Sequence, residues 1–392
     1  MDDIRPKGSL TRRGFLKGGA GAMGALCLSG SFLSPRTAHP QLPQRGLLFP
    51  TRSPWFSPLP NAHLRCELCP RQCHIAPGAR GRCRVRENRG GQGYTLAYGN
   101  PCLVQVDPVE RTPFFHLLPG TRALSISTAG CPLECLFCEV WDMALVSPED
   151  VHAYDLSPEK VVGHAKAVGA RSVSCAFGEP VAFYEYMAAI ATLAKRAGLM
   201  SLLHTSGYFA PKPLEAVLGA LDAVNVDLKG FDPEFYRQMC GAELAPVLNT
   251  LKQLKAAGVH LEITNLILPT LNDDMAGIRD MCHWIRDELG AEVPIHFGRF
   301  YPLYKLTNLP PTPVSTLDRA RTTALEAGLK FVYVARVTGH AGENTFCPGC
   351  GRKIIERMGF VVEEVHLQEG RCGFCGTAIP GRWARTASAT GA

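Results

Sequence analysis

The sequence predicts an α/β protein: a partial (β/α) barrel with an N-terminal four-cysteine module and a C-terminal zinc-ribbon-like module. Three observations carry this expectation. Short apolar runs alternate with amphipathic segments through the middle of the chain. Eleven of the sixteen cysteines fall into three tight groups with metal-ligand spacing, one group before the alternating region, one inside it and one after it. Conspicuous polar residues follow the apolar runs, where a parallel barrel collects its chemistry.

Taken in order, residues 1–33 read as a leader. Thr11-Arg12-Arg13-Gly14-Phe15-Leu16-Lys17 precedes a mild apolar run rich in Gly and Ala, the pattern of a twin-arginine export signal. Cys27, within that run, reads as a plain apolar residue. Residues 34–60 hold six prolines between Pro40 and Pro60 and are expected to be a linker. A small cysteine module and a β-rich extension follow, residues 61–120 together. The barrel is expected over 121–338. Its strands fall at 123–127, 172–176, 201–205, 223–227, 261–267, 294–297 and 331–334, and its helices at 158–168, 183–197, 211–221, 245–257, 275–289 and 315–327. This alternation implies βαβ units on a parallel sheet. A second cysteine module is expected at 339–385 and a disordered tail at 386–392. The chain is 392 residues long with a net charge of +6, and residues 1–45 supply +5 of it. The remainder is close to neutral, which argues against nucleic-acid binding by the folded part.

The central cysteine group, Cys131, Cys135 and Cys138, has C-x-x-x-C-x-x-C spacing. Three thiolates can hold three irons of a cubane [4Fe–4S] cluster, and with no fourth cysteine at ligand spacing one iron stays open to a ligand. Structural zinc prefers four closed ligands. Cys347, Cys350, Cys372 and Cys375 form two C-x-x-C knuckles, each followed by glycine, and read as a zinc site; iron has the same ligand preference. Cys66, Cys69, Cys73 and Cys83 also make four. A structural zinc is the simpler reading and an accessory [4Fe–4S] cluster the sharper one; the spacing fits either. Cys102, Cys175, Cys240 and Cys282 stand alone and read as buried small hydrophobes.

Several strand ends carry candidate ligand contacts. Gly178-Glu179-Pro180 follows the second strand; it reads equally as a helix-starting turn. Ser206 ends the next, and Asp227 and Lys229 the one after, where they could touch a ligand or form a structural ion pair. Asn272 has the look of a helix cap. His296 lies on a late apolar strand, where a core role and a ligand role weigh about evenly.

The three-cysteine spacing, with Phe137 before the last cysteine, resembles the radical S-adenosylmethionine (SAM) superfamily. More specifically, the chain resembles the radical SAM component of the AmmeMemoRadiSam system, related to pyruvate formate-lyase activating enzymes. The matching stretches are Cys66-Glu67-Leu68-Cys69-Pro70 with Cys73, Gly81 and Cys83, then Asp107-Pro108-Val109-Glu110, the three-cysteine loop to Trp141, Glu179-Pro180, Asn225-Val226-Asp227-Leu228-Lys229-Gly230, Glu262-Ile263-Thr264-Asn265-Leu266, Asn272-Asp273, His296-Phe297 and the closing knuckles. The resemblance implies a barrel of the radical SAM type. It also implies a [4Fe–4S] cluster that cleaves SAM reductively to a 5′-deoxyadenosyl radical, and a reductant such as flavodoxin or ferredoxin. A protein substrate from the same system is expected, as for a glycyl-radical activase, making the enzyme an activating-enzyme-like oxidoreductase or a protein-modifying enzyme. Gly178, Glu179, Ser206, Asp227, Lys229 and His296 then become SAM contacts. Glu139-Val140-Trp141 stands where this family usually has Gln-Asn-Trp, and Thr205-Ser206-Gly207 where it has Thr-Asn-Gly. The alternative is a non-catalytic exported iron–sulfur carrier or metal-binding protein. The leader points to the periplasm and the chemistry to the cytoplasm, and no membrane anchor is expected beyond the leader.

Overall fold

The computed structural model describes residues 42–383; the leader and the tail lie outside that range. An eight-stranded sheet dominates it. Strand β1 (Leu103–Pro108) runs antiparallel to β2 (Arg122–Ser127) at one edge. From β2 onward every neighbour is parallel and sequential: β3 (Ser172–Cys175), β4 (Met200–Thr205), β5 (Ala223–Asp227), β6 (His260–Ile267), β7 (Ile295–Arg299) and β8 (Val332–Ala335). Sequential parallel order without closure is the partial barrel that the alternation implied. The connections carry α1 (Pro158–Ala167), α2 (Tyr184–Arg196), α3 (Pro211–Leu218), α4 (Leu244–Ala256), α5 (Met275–Trp284) and α6 (Val314–Glu326).

The strand residues sort by parity. In β2, Leu124 and Ile126 join the core shared with the helices, as do Val173 and Cys175 of β3. The intervening Ser125, Ser172 and Ser174 are equally buried but lie on the other face. That split, apolar outward and small polar inward, is the period-two signature of a barrel wall. The helices answer with Val161, Ile190, Leu214, Leu251, Ile278 and Leu317, each contributing about 1.5–3 kcal/mol by burial. Caps place the helix starts. Ser157 accepts from the Lys160 amide ahead of Pro158, and Asp274 accepts from the Gly277 amide at 2.8 Å. The segment expected as one helix over 275–289 changes pitch, its last turn, Ile285–Leu289, being a π-turn.

Residues expected to be a linker are tied down from residue 42 on. Thr51–Arg52 pairs with Gln92–Thr95, and Phe56–Pro58 forms the edge of a small sheet with Leu64–Cys66. An edge strand tolerates the missing N–H of Pro58, so proline content alone is not a linker signal.

The inner end of the barrel is floored by the segment leading into β2. Glu262 of β6 accepts hydrogen bonds from the amides of Phe115 and His116 at 3.1 and 2.9 Å, from His260 Nε2 at 3.0 Å and from His296 Nε2 at 2.7 Å. Burial alone would push its carboxyl up; the bonds from His260 and His296 outweigh that and hold it well below the usual range. The C-terminal module closes the floor from outside. Arg357 donates to the Phe115 carbonyl at 2.8 Å, and His116 Nδ1 bonds the Pro380 carbonyl at 2.6 Å.

Candidate active site

The three-cysteine loop hangs from the C-terminal end of β2 and is pinned along its length. The Glu134 amide donates to the Cys240 carbonyl and the Leu136 amide to Met239, both at 2.9 Å. Arg71 donates to the carbonyls of Pro132 and Gly241. Gly130 opens the loop with φ +101, and a Cβ there would come within 2.7 Å of the Cys83 carbonyl. Only glycine meets both demands. Phe137 is buried against Phe235, which fixes the turn between Cys135 and Cys138.

Five of the six predicted contact residues gather at this end of the sheet. Gly178 binds Ser127 Oγ through its amide at 3.0 Å. Glu179 accepts from Thr205 Oγ1 at 2.6 Å, the Ser206 amide at 2.8 Å and the Val181 amide at 3.2 Å, so β3 and β4 are locked together at their ends. Its charge is close enough to Cys131 to reinforce the upward push that burial gives that thiol. Asp227 lies between His204 Nε2 at 2.8 Å and Lys229 Nζ at 2.6 Å. Burial works against its ionisation, but His204 and Lys229 outweigh it and hold the carboxyl below the ordinary carboxylate range. Lys229 is in turn held charged by Asp227 against its own burial. Its positive charge lowers the thiol pKa values of Cys135 and Cys138, a secondary influence beside the Cys240 hydrogen bond at Cys135 and burial at Cys138.

The backbone carrying Lys229 is held by three side chains. Asn265 Nδ2 donates to the Leu228 carbonyl at 2.7 Å, Asn272 Nδ2 to the Lys229 carbonyl at 2.9 Å, and the Lys229 amide to Tyr236 Oη at 3.0 Å. Asn272 is therefore a loop clamp; Asp274 is the helix cap. His296 differs from the other five. Its Nε2 is committed to Glu262, and its ring is packed between Phe115 and Tyr333 on the floor network. Sequence reasoning passed over His204, and it named Asn265 only within a matching stretch, with no role assigned. His204 is marked only by parity with Ser206 on the inward face. Cys240 was read as an isolated hydrophobe and is indeed buried, but beside Cys135. Cys102, expected to be buried, is half-buried.

Two observations bear on what these residues could hold. Among the described residues, the one group of three or more ligand atoms all within 4.8 Å of one another is the C-terminal quartet. The sulfurs of Cys131, Cys135 and Cys138 thus stand too far apart for one ion, as suits ligands to different irons of a cubane. Ser206 Oγ, Asn265 Oδ1 and His296 Nδ1 are buried with no hydrogen-bond partner among the described residues, and buried polar atoms without partners call for a ligand or water. The donor set therefore fits a [4Fe–4S] cluster with a polar small molecule beside it. At the C-terminal quartet, Cys347 and Cys375 lie 3.6 Å apart and Cys350 and Cys372 3.8 Å apart. Four sulfurs at about 2.3 Å from a tetrahedral zinc are about 3.8 Å apart, so this site fits a single ion. Gly351 and Gly376, with φ +71 and +75, turn each knuckle.

Residues 125–282 match the family model described as the Radical SAM superfamily. The chain is 41% identical over 327 residues to an uncharacterized protein of Methanocaldococcus jannaschii, covering 83% of this chain and 97% of that protein. It is 27% identical over 228 residues to the pyruvate formate-lyase-activating enzyme of Clostridium pasteurianum, covering 54% and 91% respectively. It is also 27% identical over 121 residues to the (2S)-3-sulfopropanediol dehydratase activating enzyme of Klebsiella oxytoca, covering 31% and 38%. Nothing in these matches favours a non-catalytic carrier. No helix of the described residues is long and apolar enough to cross a membrane.

Proposed function

Because the chain belongs to the radical SAM superfamily, whose members here are enzymes, we propose that it is the SAM-cleaving component of an AmmeMemoRadiSam-type system. Its substrate, on this reading, is a partner protein that it modifies as an activating enzyme does. The observation that carries the reading is the gathering of Glu179, Ser206, Asp227 and Lys229 around the three-cysteine loop.

When bound, a [4Fe–4S] cluster and SAM supply one-electron reductive cleavage to methionine and a 5′-deoxyadenosyl radical. Cys131, Cys135 and Cys138 would hold the cluster as thiolates. Lys229 offsets their negative charge from beneath, and its own charge is secured by Asp227. Glu179 already spends three acceptor positions on fixing the β3 and β4 ends. It remains free to accept an ammonium donor from a ligand, since two carboxylate oxygens offer about four lone-pair sites. Ser206 Oγ and Asn265 Oδ1, unpartnered and buried, would meet hydroxyl or amino groups of the same ligand.

The test is anaerobic incubation of the iron-loaded protein with SAM and dithionite. Formation of 5′-deoxyadenosine is expected. Its absence from protein with intact cluster absorption discards the reading. On this reading the reductant is a one-electron donor protein such as flavodoxin or ferredoxin. Activation of a protein partner is tested separately, by mass change of candidate partners after complete reaction.

A further inference from the structure

The two four-cysteine sets differ in geometry, and the difference assigns a cofactor to one of them. We propose that Cys66, Cys69, Cys73 and Cys83 bind a second [4Fe–4S] cluster, sharing a wall with the three-cysteine loop.

All four residues line one cavity, partly open to solvent. The C-terminal quartet differs: its sulfurs already stand at single-ion distance. No three of the N-terminal sulfurs lie within 4.8 Å of one another among the described residues. A zinc ion would have to draw them together, whereas four thiolates bound to four irons stand at the corners of a larger tetrahedron around the cubane.

The walls suit such an occupant. Leu68, Val181 and Ala182 make them largely apolar, and an apolar shell limits solvent access to a sulfur cluster. Gly81 lines the cavity, and a Cβ there would stand 3.2 Å from Ile75 Cδ1 and 3.6 Å from Cys73 Cβ. Arg86 is the charge partner. Its side chain is 2% exposed; its guanidinium bonds Glu185 and Ser53 and lies over Phe56. Its Nε has no partner among the described residues. A cubane with four thiolate ligands carries net negative charge, which a buried arginine with a spare donor complements.

Position gives the site its use. Pro132, next to Cys131, lines the same cavity, and Gly130 packs on the Cys83 carbonyl. The second cluster would accept one electron from a low-potential one-electron donor protein and pass it to the three-cysteine cluster. The donor is oxidised by one electron and the second cluster returns to its resting state.

The inference rests on the radical SAM reading for this role but not for the metal. The test is metal analysis and Mössbauer spectroscopy of the full chain loaded anaerobically with ⁵⁷Fe. Wild type should hold about eight irons and about one zinc, and the variant Cys131→Ala/Cys135→Ala/Cys138→Ala about four irons, with sulfide to match. Wild type with about four irons and two zincs, or a soluble triple variant with zinc and no iron, overturns the proposal. The wild-type iron count decides the matter even where the variant fails to fold. Failure of SAM cleavage leaves these counts untouched, so the two readings fall separately.

Discussion

Gly178 offers the sharpest test of how the site is built. A Cβ at this position would overlap Ser127 Oγ, while its next neighbours, the Thr128 carbonyl and Ser127 Cβ, stand at 3.2 and 3.6 Å. The overlap is thus with one hydroxyl, and clearing it requires a shift of about 1 Å; a displacement of that size at a positioning element costs on the order of 100-fold in rate. Glu179 is the next residue, so the shift is delivered to the carboxylate that joins β3 to β4. Gly178→Ala is therefore expected to lower 5′-deoxyadenosine formation by about 100-fold with iron content unchanged. The distances also specify the rescue. Ser127→Ala removes the hydroxyl and leaves Cβ at an ordinary 3.6 Å, so Ser127→Ala/Gly178→Ala should regain most of the rate. It gives up the 3.0 Å amide bond to Ser127 Oγ, a loss of about 1 kcal/mol in stability. The assay is single-turnover product formation per cluster. A single variant within about threefold of wild type, or a double variant no faster than the single one, refutes the reasoning.

Other expectations follow from the charged groups. Asp227→Asn leaves Lys229 buried without its anion; SAM cleavage should fall sharply with the cluster retained, read from product and visible absorption. Glu262→Gln removes the charge on which two amides and two imidazoles converge, and should cost about 3 kcal/mol, seen as a lower urea midpoint at unchanged slope. Glu110 is pushed up from 4.5 to about 7 by burial, with Arg357 opposing. The folded state therefore holds a proton there that the unfolded chain has released, and wild type loses stability as pH rises from about 4.5 to about 7. Glu110→Gln has no such titration, so its stability relative to wild type should climb by about 3 kcal/mol over that window, measured by denaturation at each pH. A flat difference refutes the assignment. Cys350→Ser/Cys375→Ser should lose about one zinc per chain and expose the 347–377 region to limited proteolysis.

The barrel was legible because each strand is short, apolar and followed by a helix-period segment, a pattern that survives without knowledge of neighbours. The three-cysteine loop was legible for the same reason: its meaning lies in local spacing. What stayed hidden depends on register. His204 meets Asp227 only because β4 and β5 pair Thr205 with Val226. Glu262 becomes a hub only because the segment before β2 folds under the barrel and because Thr264 pairs with His296. Asn272 read as a cap because Asn is common there, whereas it ties its own loop, at Leu266 and Leu268, to the Lys229 carbonyl 43 residues away. The distinction between the two cysteine quartets could not be read from spacing at all, since spacing fixes which sulfurs can meet but not how far apart the surrounding fold holds them.

The floor of the barrel has a consequence in time. His116 precedes β2, yet its partner carbonyl on Pro380 lies 264 residues later; the Phe115 carbonyl waits 242 residues for Arg357. Closing loops of that length is slow relative to pairing adjacent βα units. During synthesis the strands can assemble in order, with the His116 amide already on Glu262, while His116 Nδ1 and the Phe115 carbonyl remain unanswered beneath them. Only when the C-terminal module that carries Arg357 and Pro380 has emerged can the underside be sealed. On the zinc reading of that module, metal supply sets when the first-made half of the barrel becomes fully protected, and a chain starved of zinc should present residues 112–118 to proteases while its open-site cysteines are already in place.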